Sequence, residues 1–260
     1  MTTDAVVAPT VAGRGRWVSR GAAVLAGTEP ATRVFEIVDP RIEVRFERQD
    51  GAVLAPGEVF GQVQGAAASL LKAERTALNL LQRSSGIATL TARFVAAVAG
   101  TAAQIVDTRK TAPGSRHLDK DAVRSGGGRN HRASLSDGVL IKTNHVRLAG
   151  GVEAAVRRAR AAAAHTLRIE VEVRDVEELE AAIAAGADLA LLDNMDLSGL
   201  RAAVAAAAGR VGLEASGGVT LENVREVALT GVQFISVGRL THSAPAADLA
   251  LEIEGCEARE

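Results

Sequence analysis

The chain has 260 residues, 47% of them hydrophobic, and a formal net charge of −1. This suits a globular protein of one large or two unequal domains and excludes a disordered one. The balanced charge excludes a general attraction to nucleic acid or acidic membranes, leaving only a local cationic pocket. Aromatics make up 2% with no Tyr, so Ala, Val, Leu and Ile are the expected core fillers. The single Cys256 permits no disulfide within the chain. It is also too late and isolated to suggest a thiolate metal site or a nucleophile, and a reducing cytoplasm is expected. Neither a signal peptide nor a run of 18 apolar residues is visible, so no membrane span is expected.

Residues 1 to 67 read as turns and short strands, with candidates at Val34 to Val38 and Ile42 to Arg48 separated by Asp39-Pro40. Asp50-Gly51 is a turn signal before Val53-Leu54. Ser69 is placed to cap a helix from Leu70 to about Arg83, and a second helix is expected over about Thr89 to Val98. From residue 103 short apolar runs alternate with helical patterns. Strands are expected at Gln104 to Val106, Val139 to Ile141, Arg168 to Val173, Leu189 to Leu192, Val211 to Leu213 and Phe234 to Val237. Helices are expected near 119 to 125, 151 to 164, 175 to 185, 197 to 208 and 221 to 229. Alternating strand and helix units predict a parallel sheet covered by helices. Asp107, Lys142, Glu172, Asp193, Glu214 with Ser216, and Gly238 fall at the strand ends, where a parallel barrel builds its active site. An open doubly wound sheet is the alternative, though no early GxGxxG supports a dinucleotide fold.

Charge is concentrated between Asp107 and His145. Three of the four lysines and three of the five histidines lie there, around Gly126-Gly127-Gly128. Arg109, Arg132 and Lys142 adjoin strand ends or the glycine loop, where guanidinium forks suit carboxylate or phosphate. Surface salt bridges are the plainer account of them. His131 and His145 lack partners at metal-site spacing, so zinc is not expected. Glu170 and Glu172 share one strand face. Glu172 and Asp193 on one rim suit Mg2+ or sugar hydroxyls, with helix capping by Asp193 as the structural alternative. Ser216-Gly217-Gly218 and Gly238 follow two late strands, and paired glycine turns there suit a phosphate grip over plain turns. By pattern alone Arg75 is a surface residue.

Several motifs together carry a resemblance over nearly the whole chain. They are Ala73-Glu74-Arg75-Thr76-Ala77-Leu78-Asn79, Ser85-Gly86-Ile87-Ala88-Thr89, Asp107-Thr108-Arg109-Lys110-Thr111, Gly126 to Arg132, Leu140 to His145, Leu192-Asp193-Asn194-Met195, Ser216-Gly217-Gly218 and Leu240-Thr241-His242-Ser243. In these the chain resembles the nicotinate-nucleotide pyrophosphorylase, or quinolinate phosphoribosyltransferase, family. The resemblance implies decarboxylating transfer from phosphoribosyl pyrophosphate to quinolinate, giving nicotinate mononucleotide, pyrophosphate and CO2 in NAD biosynthesis, with Mg2+. It implies an α/β open-sandwich domain over 1–102, with tail 246–260 packed back on it, and an incomplete parallel α/β barrel over 103–245. It also implies a cytoplasmic homodimer or larger assembly with shared sites.

By the same resemblance, Arg75 is supplied across the dimer to quinolinate, and Arg109, His131, Arg132 and Lys142 grip its carboxylates. Lys110 lies near the phosphoribosyl or pyrophosphate groups. Glu172 and Asp193 hold ribose hydroxyls and Mg2+, and Ser216, Gly217, Gly218 and Gly238 hold the 5′-phosphate. Lys110, Lys142, Glu172 and Asp193 make up the catalytic set. Three departures accompany the match: the family's usual N-terminal helix has no counterpart, Asp121 stands where an aromatic is common, and Thr143 stands where an acid is usual. The other readings are a related pyrophosphorylase-like protein of molybdenum transport with a different acceptor, and a silent phosphate-sugar binding protein.

Overall fold

The structure is a computed structural model that describes residues 1–256, with side chains described through residue 253. The last residues of the expected tail, and the Cys256 thiol, therefore lie outside the described parts. In chain order the elements are α1 (Thr2–Val6), β1 (Ala12–Ser19), β2 (Ala23–Val24), α2 (Thr28–Val38), β3 (Glu43–Phe46), β4 (Val53–Leu54), β5 (Val59–Ala66) and α3 (Ala67–Ala97). Then follow β6 (Gln104–Val106), α4 (Arg116–Ser125), β7 (Val139–Ile141), α5 (Thr143–Ala149), α6 (Val152–Ala162), β8 (Ile169–Val173) and α7 (Val176–Ala184). The last are β9 (Leu189–Asp193), α8 (Leu197–Ala207), β10 (Gly212–Ser216), α9 (Val224–Ala228), β11 (Phe234–Ser236), α10 (Arg239–His242) and β12 (Leu249–Cys256).

Two compact units result. The first holds Met1–Ala92, His117–Gly127 and the described residues from Ser243 on; the second holds Arg93–Arg116 and Gly128–His242. The expected division groups 1–102 with the tail from 246 and sets 103–245 apart; in the structure the chain crosses between units at residues 92/93, 116/117, 127/128 and 242/243.

The first unit carries an antiparallel sheet in the order β12-β1-β5-β3. Strand β12 lies along β1, from Ser19↔Leu249 to Ala12↔Cys256. Its core is not the purely aliphatic one that composition suggested. Trp17 is fully buried, with Phe35 at 5.8 Å edge-on and Phe46 at 5.6 Å stacked. Such aromatic pairs contribute about 0.5–1.5 kcal/mol each beyond their buried area.

Two local readings need correction here. Val34 to Val38 is the end of α2, not a strand. Ala31 and Phe35, four apart, are both fully buried, which is helical spacing. The Asp50 carboxylate accepts the Gly27 and Thr28 N–H groups at 2.8 and 3.2 Å and so caps this helix from another turn. The two expected helices over 70–98 are one helix, α3. Ser69 does not cap it, because its hydroxyl donates to Asp39 at 3.1 Å inside the helix. Ser84-Ser85-Gly86 reads as a break but is a site of close approach. The Ser85 hydroxyl accepts from the Ala26 N–H at 3.0 Å, and a Cβ on Gly86 would lie 2.0 Å from the Pro245 carbonyl oxygen.

The second unit carries six parallel strands in the order β6-β11-β10-β9-β8-β7. Strands β7 to β11 advance in chain order, and the last pairs with the first, β6. This is the order of an α/β barrel opened between β6 and β7, which no ladder joins among the described residues. A doubly wound sheet would reverse its winding partway, and this one does not. Val171, Val173, Ala190, Leu192 and Ile235 are each fully buried on the face opposite Glu170, Glu172, Leu191 and Ser236. Helix α5 was not anticipated. It starts where the Lys142 N–H donates to His145 Nδ1 at 2.9 Å, and it ends at Gly150 with φ 89°. His145 is therefore a capping residue.

The close approach at Gly86 generates a prediction. Gly86→Ala should cost about 1–3 kcal/mol or more through overpacking against backbone, read as a lower urea midpoint. An unchanged midpoint would show that α3 and the Pro245 segment separate easily.

Candidate active site

The sheet brings the charged motifs together at the C-terminal ends of its strands. Asp107, fully buried just after β6, organises one side. Its carboxylate accepts the His131 N–H at 2.8 Å and the Asn130 side-chain amide at 2.7 Å. Arg129 bridges β6 through Val106. The 129–132 segment thereby runs alongside the sheet and presents His131 and Arg132. Lys110 is held by its neighbours: the Thr241 hydroxyl donates to its carbonyl at 2.8 Å. A Cβ on Gly238 would come within 3.0 Å of Lys110 Cδ, so glycine there leaves the lysine room.

Arg109, Lys110, His131, Arg132, Lys142 and Ser216 all line one cavity of about 330 Å³, with Leu140, Leu191, Glu214 and Ser236. Neither Arg109 nor Arg132 forms an ion pair within the described residues, and the Nε of each is buried without a hydrogen-bond partner. Arg132 keeps one bond, to the Gly138 carbonyl at 3.1 Å. Burial, and then the neighbouring Arg109 charge, push its pKa below the usual guanidinium range. Two adjacent cations with unused donors fit an anionic ligand. A wider groove of about 770 Å³ is lined by Thr143 and Glu172 among others, and within it Arg174 pairs with Glu178.

Glu172 lines the wider groove, not the smaller cavity, and is tied to that cavity through Lys142. Lys142 Nζ lies 2.8 Å from its carboxylate, and the Thr143 hydroxyl and N–H both donate to it. Burial alone would raise its pKa; the bonds from Lys142 and Thr143 outweigh that and lower it. Asp193 ends the adjacent strand and accepts from the Asn194 amide at 3.0 Å. It does not cap a helix: Asp196 does, taking the Gly199 N–H at 2.7 Å. Asn194 (φ 54°), Gly217 (φ 93°) and Gly218 (φ 62°) are all left-handed, and a Cβ on Gly217 would lie 2.1 Å from Asn194 Oδ1. Two positive-φ glycines in succession turn backbone N–H groups toward one side, as anion-binding turns do.

His131, which the resemblance implies grips a ring carboxylate, lines the cavity with both ring nitrogens engaged. Nε2 is 2.9 Å from Glu170 and 3.4 Å from Glu214, while Nδ1 faces the Arg132 N–H at 2.8 Å. Glu170, Glu214 and His131 are the one group of three metal-type ligands among the described residues, and Glu172 and Asp193 are not in it. Glu170 shares a strand face with Glu172, and that period-two signal was open to reading. The approach of His131, 39 residues before Glu170, had no sequence signal. Arg75 is exposed on α3 in the first unit. Asp121 is likewise exposed and pairs with Arg124 one turn on.

Burial alone would lower the His131 pKa, but the bonds and charges of Glu170 and Glu214 override it and raise the ring to about 9. The Arg132 N–H opposes a second proton at Nδ1; two carboxylates at Nε2 against one peptide N–H set the direction upward. A raised pKa stabilises the fold fully below the unfolded value near 6.5, and this contribution is lost as pH climbs through about 9. In NMR titration the His131 ring should therefore hold its proton above the ordinary histidine range, and Glu214→Gln should bring it down. A wild-type midpoint at or below the ordinary value would show that the Arg132 N–H dominates.

Comparison with known proteins identifies the family. Residues 1–85 match the family described as "Quinolinate phosphoribosyl transferase, N-terminal domain", and residues 87–252 match its C-terminal domain. The nicotinate-nucleotide pyrophosphorylase [carboxylating] of Mycobacterium leprae is 46% identical, with 97% of this chain and 90% of that protein covered. A probable enzyme of the same name from Bacillus subtilis is 42% identical, covering 91% of this chain and 82% of that one. The crystal structure of NadC from Streptococcus pyogenes superposes with a TM-score of 0.94 at 36% identity, covering 98% of this chain and 91% of that one. The chain belongs to the quinolinate phosphoribosyltransferase family.

Proposed function

We propose that this chain transfers a phosphoribosyl group to quinolinate with loss of CO2, yielding nicotinate mononucleotide and pyrophosphate for NAD biosynthesis. The observation that carries the reading is the pair Arg109 and Arg132, adjacent in one cavity with buried, unused donors. A ring bearing two carboxylates supplies the missing charge. The relatives named above do not favour the molybdenum-transport relative or the silent sugar-phosphate binder.

Arg109, Arg132 and Lys142 hold the carboxylates, and Lys110 reaches toward the diphosphate. The left-handed turn at Gly217-Gly218, with Ser216 and Gly238, takes the 5′-phosphate. As the C1–oxygen bond to pyrophosphate breaks, positive charge builds at the sugar, and Glu172 and Asp193 stabilise it. The pyridine nitrogen bonds to C1. Cleavage of the C2–carboxylate bond then releases CO2 and leaves its electron pair on C2, next to the cationic ring nitrogen. A proton completes the product. Two carboxylates on neighbouring strand ends suit Mg2+, which is commonly held by one or two such groups plus substrate phosphates. When bound, the ion would offset charge on the departing pyrophosphate. His131 acts by holding Arg132 and the acids beside it, since neither ring nitrogen is open.

No helix of the described chain is long and apolar enough to cross a membrane. Work as a homodimer in the cytoplasm is part of the proposal, with exposed Arg75 reaching the cavity of a second copy.

Incubation with quinolinate, phosphoribosyl pyrophosphate and Mg2+ should form nicotinate mononucleotide, and omission of any one should stop it. Arg109→Ala should lose about 2–5 kcal/mol of transition-state stabilisation by leaving a carboxylate unpaired; a fall in kcat/KM of less than about tenfold would remove Arg109 from this role. Mixing inactive Arg75→Ala and Glu172→Gln chains should restore activity if sites are shared, because some mixed sites contain neither change. No recovery in a verified mixed oligomer would mean each site is complete in one copy.

A further inference from the structure

We propose that Glu214, which lines the cavity, with Glu170 buried beside it, sets the substrate selectivity of the site, giving it an acidic floor that admits a ring diacid only when its two carboxylates sit on adjacent atoms. The inference rests on the proposed function for the kind of occupant. It concerns two residues to which that mechanism gives no contact with substrate.

The sheet register separates the charges by depth. Arg109 and Lys110 follow the end of β6, and Lys142 follows the end of β7, so these cations stand at the rim. Glu170 and Glu214 lie inside their strands, opposite Leu140 and Leu191 respectively. They are 6% and 2% exposed. His131 joins them, with one ligand atom from each of the three within 4.8 Å of the others, and acids outnumber imidazole two to one. One oxygen, Glu170 Oε1, is buried with no hydrogen-bond partner.

Two carboxylates buried side by side carry a desolvation cost that one imidazole does not fully offset. An apolar floor would suit a pyridine ring better. What acids add there is repulsion, and specificity is often obtained by making the wrong ligand worse. A diacid with neighbouring carboxylates turns both to the rim cations and only ring C–H edge to the floor. A diacid with carboxylates across the ring must point one of them at Glu214, with the Glu170 carboxylate close beside it.

The test uses benzene-1,2-dicarboxylate and benzene-1,4-dicarboxylate as probes, with binding followed by calorimetry and quinolinate turnover measured on the same preparations. The wild type should prefer the 1,2-isomer by at least about tenfold, and E214Q or E170Q should shrink that preference by about tenfold, mainly by tightening the 1,4-isomer. A wild type that binds both isomers equally overturns the inference without any variant. So does a preference unchanged within about threefold in folded E214Q and E170Q. Turnover without discrimination leaves the proposed function standing and removes the acidic floor. Discrimination without quinolinate turnover does the reverse.

Discussion

The site depends on two guanidinium groups held together with no ion pair to either among the described residues. Arg109 and Arg132 repel each other, and burial removes much of the water that would shield them. Left to themselves, such side chains would swing toward solvent or toward an acid. The backbone denies them the choice. Asp107, fully buried, anchors the 129–132 segment against β6 through its bonds to His131 and Asn130. The Gly138 carbonyl holds one end of Arg132. A local conflict of this kind persists only where the surrounding fold over-determines it, and such conflicts concentrate at functional sites.

The parallel sheet is what over-determines it. Its inner strands are largely buried on both faces, and a strand was expected at or near each of the six positions. Their polar ends were legible too, because a charged residue directly after an apolar run has few other places to go. Less visible was anything that required two distant segments to meet. His131 and Glu170 come together across 39 positions, and the return of the tail to lie along β1 was implied only by the family resemblance. No periodicity encodes such partners.

The misread elements of the first unit failed for a related reason. Val34 to Val38 is rich in β-formers, yet the Ala31–Phe35 spacing and a cap from distant Asp50 make it helical. Ser84-Ser85-Gly86 has the composition of a helix break. Its hydroxyl and its missing Cβ instead admit other backbone segments to the side of α3. In both cases tertiary contact decided a question that local propensity answered differently.

The period of two along a strand also explains how one cavity can carry both signs of charge. Residues two apart on the same face differ in depth by about 6.5–7 Å. Glu170 therefore sits a full layer below Glu172 on β8, and Glu214 a layer below Ser216 on β10. The upper layer meets Lys142 and the glycine turn; the lower layer meets His131. A single substitution thus acts on ligand charge at the rim or on ligand shape at the floor, according to its layer. This separation lets the rim cations attract any small diacid while the choice among diacids is left to residues they do not touch.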